Sequence, residues 1–186
     1  MLNAWKNFGG GLEAVDDTGG NIVVRPARAK DLNDIRDIYN QGIADRIATL
    51  DSDLKTPPDM DTWWTAHGGR YTVIVAVHEA AVVGWSSLNP YSQRPAYRGV
   101  AELSVYVDRA WRGRHIGRIL LRELEGAARR NGFYKIVLFT FPHNQAGQRL
   151  YRGVGYREVG TFYRQGYLDG RYVDVMAMEK FIADGL

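Results

Sequence analysis

The sequence predicts an α+β fold, a mixed sheet of about seven strands with helices packed on both faces. Three observations predict it. Short β-branched runs alternate in chain order with amphipathic helical stripes, in the order strand, two helices, three strands, helix, strand, helix, two strands. Two tight polar breaks, "HEA" and "LDG", join apolar runs and read as hairpins, so their flanking strands are antiparallel neighbours. The run "KIVLFTF" follows the longest helical stripe and is nearly all apolar, as expected of a strand buried on both faces.

Element by element, Met1–Gly20 is glycine-rich without sustained periodicity and reads as an extension, loose or only locally docked, ahead of a domain over residues 21–186. "NIVVRPA" is a first strand, stopped at Pro26. Asp31 is placed to cap a helix carrying Leu32, Ile35, Ile38, Tyr39 and Ile43. A second short helix with Trp63 and Trp64 follows the Pro57-Pro58 break. Strands over Tyr71–Val77, Ala81–Leu88 and Val100–Val107 come next, the last two separated by the loop "NPYSQRPAYRG". Ile116, Ile119, Leu120, Leu124, Ala127 and Ala128 form a helical stripe ending near Asn131-Gly132. The strand Lys135–Phe141, a short helix from Gln145 to about Arg152, and the closing hairpin complete the chain.

Composition narrows the function. The 186 residues carry 24 basic and 21 acidic side chains, a net charge of +3, too mild to point to nucleic acid. There is no cysteine, which excludes disulfides, thiolate metal sites and a cysteine nucleophile. No apolar run reaches the roughly 20 residues a membrane-spanning helix needs, and the N-terminus lacks a signal-peptide core, so a cytoplasmic protein is expected. No motif points to a metal.

The chemistry concentrates in "RGRHIG", Arg112–Gly117. A glycine-bearing turn into a helix N-terminus offers unpartnered N–H groups and a favourable dipole to an anion, and Arg112 and Arg114 can add charge-assisted contacts. The spacing is neither that of a nucleotide triphosphatase nor a dinucleotide fingerprint. A solvated basic turn remains the alternative on these residues alone. Two arginines in the loop before the Val100 strand, Arg94 and Arg98, suit either an acidic substrate or a solvated loop.

With its flanks, "LSVYVDRAWRGRHIGRILLREL" resembles the acetyl-CoA motif of the GCN5-related N-acetyltransferase (GNAT) superfamily, whose pattern is Arg/Gln-x-x-Gly-x-Gly/Ala. Arg112, Gly113, Arg114, His115, Ile116 and Gly117 occupy it, with His115 in place of the first motif glycine. A helix-entrance dihedral near the right-handed region would tolerate that Cβ. "IVVRPARAKDLNDIRDIYNQGI", "ADRIATLDSDLKT", "GWSSLNPYSQRPAYRGVAELSVYVD" and "YLDGRYVDVMAMEK" are similar to segments of the phosphinothricin-type acetyltransferases, in particular their arsinothricin-resistance branch.

The resemblance implies a sheet splayed between the fourth and fifth strands of the domain, with Val105, Tyr106 and Val107 pairing with the pantetheine arm of acetyl-CoA and Asn144 beside it. It implies Glu102 as general base, although the residue alone better suits an outward-facing strand position. It places Tyr151 where many members carry a tyrosine that protonates the leaving thiolate; core packing is the other reading. It favours Arg94 as a substrate contact, with Tyr97, Arg46 and Leu50 near the pocket, Leu50 standing where the family usually has phenylalanine. The implied acceptor is a small acidic amino-acid analogue (phosphinothricin, arsinothricin or methionine sulfoximine), acetylated in a homodimer whose aromatic hairpin Phe162–Tyr172 lies near the interface. A peptide N-terminal acetyltransferase and a non-catalytic acyl-CoA-binding sensor are the alternatives.

Overall fold

The computed structural model describes residues 6–8, 11–15 and 21–183, so part of the Met1–Gly20 extension and the last three residues lie outside it. Two short strands, β1 (Lys6–Phe8) and β2 (Gly11–Val15), pair antiparallel with each other, and β2 pairs with the edge of β3 (Asn21–Pro26). These described parts of the extension therefore continue the sheet, which the glycine-rich sequence did not suggest. The remaining strands are β4 (Val73–His78), β5 (Ala81–Pro90), β6 (Val100–Val107), β7 (Lys135–Thr140), β8 (Arg157–Leu168) and β9 (Arg171–Phe181). The helices are α1 (Leu32–Asp45), α2 (Pro57–Ala66), α3 (Ile116–Arg130) and α4 (Gln145–Gly153). Among the described residues the sheet has nine strands in the order β1-β2-β3-β4-β5-β6-β7-β9-β8, and the seven from β3 onward are those the sequence predicts.

Local chemistry accounts for the element ends. Thr56 caps α2 through a reciprocal box with Asp59, and Pro57 sits in the first turn, where its missing N–H costs nothing. Asp31 precedes α1 as expected but does not cap it. Its carboxylate turns back to accept from Arg25 at 2.7 and 2.8 Å and from the Arg28 N–H at 2.7 Å, because a paired guanidinium is the stronger donor. The β4–β5 and β8–β9 hairpins close through two-residue turns, Glu79-Ala80 and Asp169-Gly170, as the two polar breaks predict.

Two apolar layers flank the sheet. On one face Ile116, Ile119, Leu120, Leu121 and Leu124 of α3 pack over Ile22, Val83, Leu103 and Ile136. On the other, Ile35 and Ile38 of α1 and Met60 of α2 pack over Val75, Val82 and Trp85. The register shift opposite Ala76 and Val77 breaks the period-2 alternation of β5, so Val83 packs in the first layer while Val82 and Trp85 pack in the second. Both layers are needed to bury a sheet that is apolar on each side.

One feature of the topology positions the site. β6 and β7 form the parallel pair, joined only over Val100↔Lys135, Ala101↔Ile136 and Glu102↔Val137. On its other edge β6 stays paired with β5 all the way to Gly84↔Val107. From Leu103 to Val107, β6 thus has a partner on one side and an open edge on the other. This is the splay the family resemblance implies.

Candidate active site

The open edge of β6 leads into two cavities. One, of about 600 Å³, runs along Val105–Val107 to the 112–118 turn and the N-terminal part of α4. The other, of about 450 Å³, begins at Glu102 and is walled by β7, β8 and the loop after α1. Ala48, Val105, Tyr106 and Tyr151 line both, so the two meet beside the Tyr151 phenol.

The first cavity ends in the turn that the sequence singles out. Arg112, Gly113, His115, Ile116 and Gly117 line it, together with Asn144. The N–H groups of the first turn of α3 have no helical acceptors and face an anion with the positive end of the helix dipole. Arg112 is tied on two sides: it meets Asp45 at 2.7 Å and donates to the Val107 carbonyl at 3.2 Å, which fastens the turn to α1 and to the end of β6. Burial works to raise the Asp45 carboxyl, but hydrogen bonds from Arg109 and Arg112 outweigh it and hold the group below the usual carboxylate range. Arg114 lies over the Trp111 ring, 4.6 Å from its centroid, and does not line the cavity. Positive charge comes instead from Arg118 and Arg149, which the sequence reading missed. Arg118 follows the motif directly and was legible as part of it; Arg149 arrives from α4, which nothing local connects to the turn.

His115 corrects an expectation. Its backbone is left-handed, φ 62° and ψ 7°, not right-handed. The motif position therefore asks for glycine, and a side chain there costs about 1–2 kcal/mol of conformational energy. Gly117 also acts differently from a simple phosphate cradle. A Cβ on it would meet Leu150 Cδ2 at 2.8 Å, so it leaves room for the Leu150 side chain at the cavity wall. His115→Gly is expected to leave CoA affinity close to wild type, since the backbone N–H is kept. Gly117→Val is expected to lower it about tenfold through overpacking that pushes the Leu150 side chain out of the cavity wall, at a cost of about 1–3 kcal/mol. Calorimetric titration with CoA checks both.

Asn144 is the cap of α4, accepting from the Gly147 N–H at 3.0 Å and donating to Thr140 Oγ1 at 3.2 Å. Tyr151 is buried, and burial pushes its phenol up to about 12.

The second cavity holds Glu102, whose carboxyl burial raises above its ordinary value. Among the described residues no other charged side chain lines it. Its polar wall is Thr49, Ser104, Thr140, Gln165 and the Tyr39 phenol, which donates to Asp51; its apolar wall includes Leu50, Phe139, Phe162 and Val175. Leu50 packs so closely on Gly166 that a Cβ there would sit 2.3 Å from Leu50 Cδ2. An irregularity in β8 between Phe162 and Gly166, with Arg164 at φ 53°, accompanies the placement of Phe162 and Gln165 in the wall.

Three expected substrate contacts line neither cavity. Arg94 precedes the short turn Pro95–Tyr97, in a loop that leaves the sheet at the Glu102 end of β6 but passes outside the cavity. Tyr97 packs edge-on against Tyr91. Arg46 donates to the carbonyls of Asp51 and Ser52 at 3.1 and 3.0 Å and meets Asp169 at 3.1 Å, pinning the 46–52 loop to the β8–β9 turn. Its contribution to the cavity is to hold Thr49 and Leu50 in the wall.

A parallel edge that opens beside a helix N-terminus fits an extended chain ending in phosphates: the β6 backbone can pair with amides as an added strand would, and the turn can take the anion. Comparisons with known proteins agree. Residues 33–156 match the model of the acetyltransferase (GNAT) family. The chain is 31% identical over 163 residues to the phosphinothricin N-acetyltransferase of Streptomyces coelicolor, covering 86% of this chain and 95% of that one. It is 30% identical over 161 residues to an L-methionine sulfoximine/L-methionine sulfone acetyltransferase of Pseudomonas paraeruginosa, covering 84% and 92%. Its fold superposes with a TM-score of 0.83, at 28% identity and covering 88% and 90%, on a GNAT superfamily phosphinothricin acetyltransferase from Sinorhizobium meliloti in complex with acetyl-CoA. The chain belongs to the acetyltransferase (GNAT) family and is an N-acetyltransferase that uses acetyl-CoA.

Proposed function

We propose that this enzyme acetylates the α-amino group of a small acidic amino-acid analogue of the phosphinothricin, arsinothricin or methionine sulfoximine type, by direct transfer with Glu102 as general base. The observation that carries the reading is the meeting of the two cavities at Tyr151, with a half-buried carboxylate in the second.

An amino acid arrives as an ammonium and must lose a proton before it can attack. Burial makes Glu102 a stronger base than a solvated carboxylate, since it disfavours the charged form. The neutral amine then forms its N–C bond at the thioester carbonyl, the C–S bond breaks with its electron pair leaving on sulfur, and the proton that the new amide nitrogen sheds passes to that sulfur to give the CoA thiol. Tyr151 donates a hydrogen bond to that sulfur as charge develops on it. The relatives' substrates support the amino-acid analogue. An oxygen-rich head would meet neutral donors here, Thr49, Thr140 and Gln165, because Arg94 stands outside the wall.

The test is a panel of phosphinothricin, arsinothricin, methionine sulfoximine, ordinary amino acids and short peptides, assayed with acetyl-CoA for thiol release. Turnover confined to the analogues is expected. Turnover of peptides with none of the analogues would replace this reading with N-terminal acetylation, and CoA binding without any turnover would replace it with a sensor.

A further inference from the structure

We propose that Gln165 is a specificity-determining residue that reads the oxygens on the head of the acceptor, and that Asp174 is the positioning residue that holds it in the cavity wall. The inference rests on the amino-acid acceptor proposed above. It adds the group that tells an oxygen-bearing head from a plain side chain.

The β8–β9 ladder pairs Phe162 with Val175 and Gly166 with Val173, so residues 163–165 of β8 stand against Asp174 alone. Arg164, in the middle of this bulge, has φ 53°, a left-handed backbone that an L side chain adopts only at a cost. The Asp174 side chain supplies the acceptor that the interrupted ladder lacks: its Oδ1 accepts from the Arg164 N–H at 2.7 Å. At the end of the bulge Gly166 leaves room for the Leu50 side chain, so the loop after α1 packs against it. Strained backbone of this kind persists where its surroundings over-determine it, and it gathers at binding sites. Here the bulge serves the second cavity. Phe162 and Gln165 line that cavity, whereas Tyr163 and Arg164 do not.

Among the described residues lining the cavity, Gln165 alone carries side-chain N–H donors, and its carboxamide has no hydrogen-bond partner among the described residues. Thr49, Ser104 and Thr140 offer one hydroxyl proton apiece, and the Tyr39 proton is spent on Asp51. The one charged side chain there, Glu102, repels an oxygen-rich head when it is ionised to act as base. Recognition of such a head therefore falls to neutral donors, of which the carboxamide is the one with two protons to give. A sulfone, sulfoximine or phosphinate oxygen accepts from it. A thioether sulfur is a weak acceptor, so a bound thioether covers the carboxamide without replacing the water it displaces, and the site pays in affinity.

The test compares L-methionine sulfone with L-methionine, which differ only in the oxygens on sulfur. Wild type is expected to favour the sulfone in kcat/KM by about fivefold, the worth of one hydrogen bond. Gln165→Leu keeps the bulk without the donors. It is expected to raise KM for the sulfone about fivefold, to leave kcat and the methionine KM in place, and so to erase the preference. Asp174→Ala is expected to erase it too, and Asp174→Asn, which keeps an acceptor oxygen for the Arg164 N–H, to retain it. In the Gln165→Leu background Asp174→Ala is expected to change the preference no further. A wild type indifferent to the pair, or inactive on both, overturns the proposal, as does a preference that survives Gln165→Leu. A preference that survives Asp174→Ala, or additive losses in the double variant, overturns the part given to Asp174. Should Asp174→Ala not fold, hydrogen exchange on wild type decides: the Arg164 amide is expected to be protected, and free exchange overturns the bracket. A wild type that turns over no amine of any kind defeats the proposed function itself, a distinct result.

Discussion

Glu102→Gln is expected to lower kcat about 10²- to 10⁴-fold at neutral pH, the usual range for loss of a positioned base, while CoA affinity stays close to wild type. The pH dependence follows from burial, which raises the Glu102 carboxyl above its ordinary value. As pH falls through that raised value the basic form is lost, so the Glu102 limb of kcat/KM lies above the ordinary carboxylate pKa of about 4.3 and vanishes in the variant. Stability moves the other way. The folded state binds the Glu102 proton more tightly than the unfolded chain, so this contribution is fully present below the ordinary pKa and is lost as pH rises through the folded one. The neutral glutamine avoids that loss, and the variant is expected to melt higher than wild type at neutral pH. Wild-type turnover in a folded Glu102→Gln protein would remove Glu102 as the base.

Tyr151→Phe is expected to lower kcat about 10- to 100-fold, since a hydrogen bond to a developing charge contributes about 1.5–3 kcal/mol. Burial pushes the phenol up to about 12, so it remains a donor wherever the thiolate can form. The ring packs in the core against Tyr156, 6.2 Å away edge-on, and phenylalanine keeps that contact. Stopped-flow thiol release with a parallel melting curve separates lost chemistry from lost packing; unchanged kcat would leave Tyr151 a core residue.

Much of the scaffold is legible in the sequence because it depends on local periodicity. The α3 stripe, the two hairpin turns and the apolar β7 run are each fixed by neighbours in sequence, and the structure places them as read. The pairing of β2 with β3 was not legible, because a strand that joins an edge through backbone hydrogen bonds needs no apolar alternation of its own. In the site, Arg112, Gly117, Asn144 and Tyr151 were legible through spacing and resemblance, and all line one cavity. Thr49, Thr140, Phe162 and Gln165 were not. They converge from the loop after α1, from β7 and from β8, distant segments that meet only across the open parallel edge. Arg94 shows the converse: its charge suited an acidic substrate, but the turn at Pro95–Tyr97 carries it past the wall. His115 shows a third limit, for residue identity alone does not reveal a left-handed backbone.

Direct transfer is the central claim, and it requires both substrates in place at once, one in each cavity, with the thioester and the amine meeting at Tyr151. The chain has no cysteine to take the acetyl group first. Initial rates measured over a grid of acetyl-CoA and acceptor concentrations test this most directly. Intersecting double-reciprocal lines, the pattern of a ternary complex, are the predicted result. Parallel lines would mean that CoA leaves before the acceptor binds and would contradict the account.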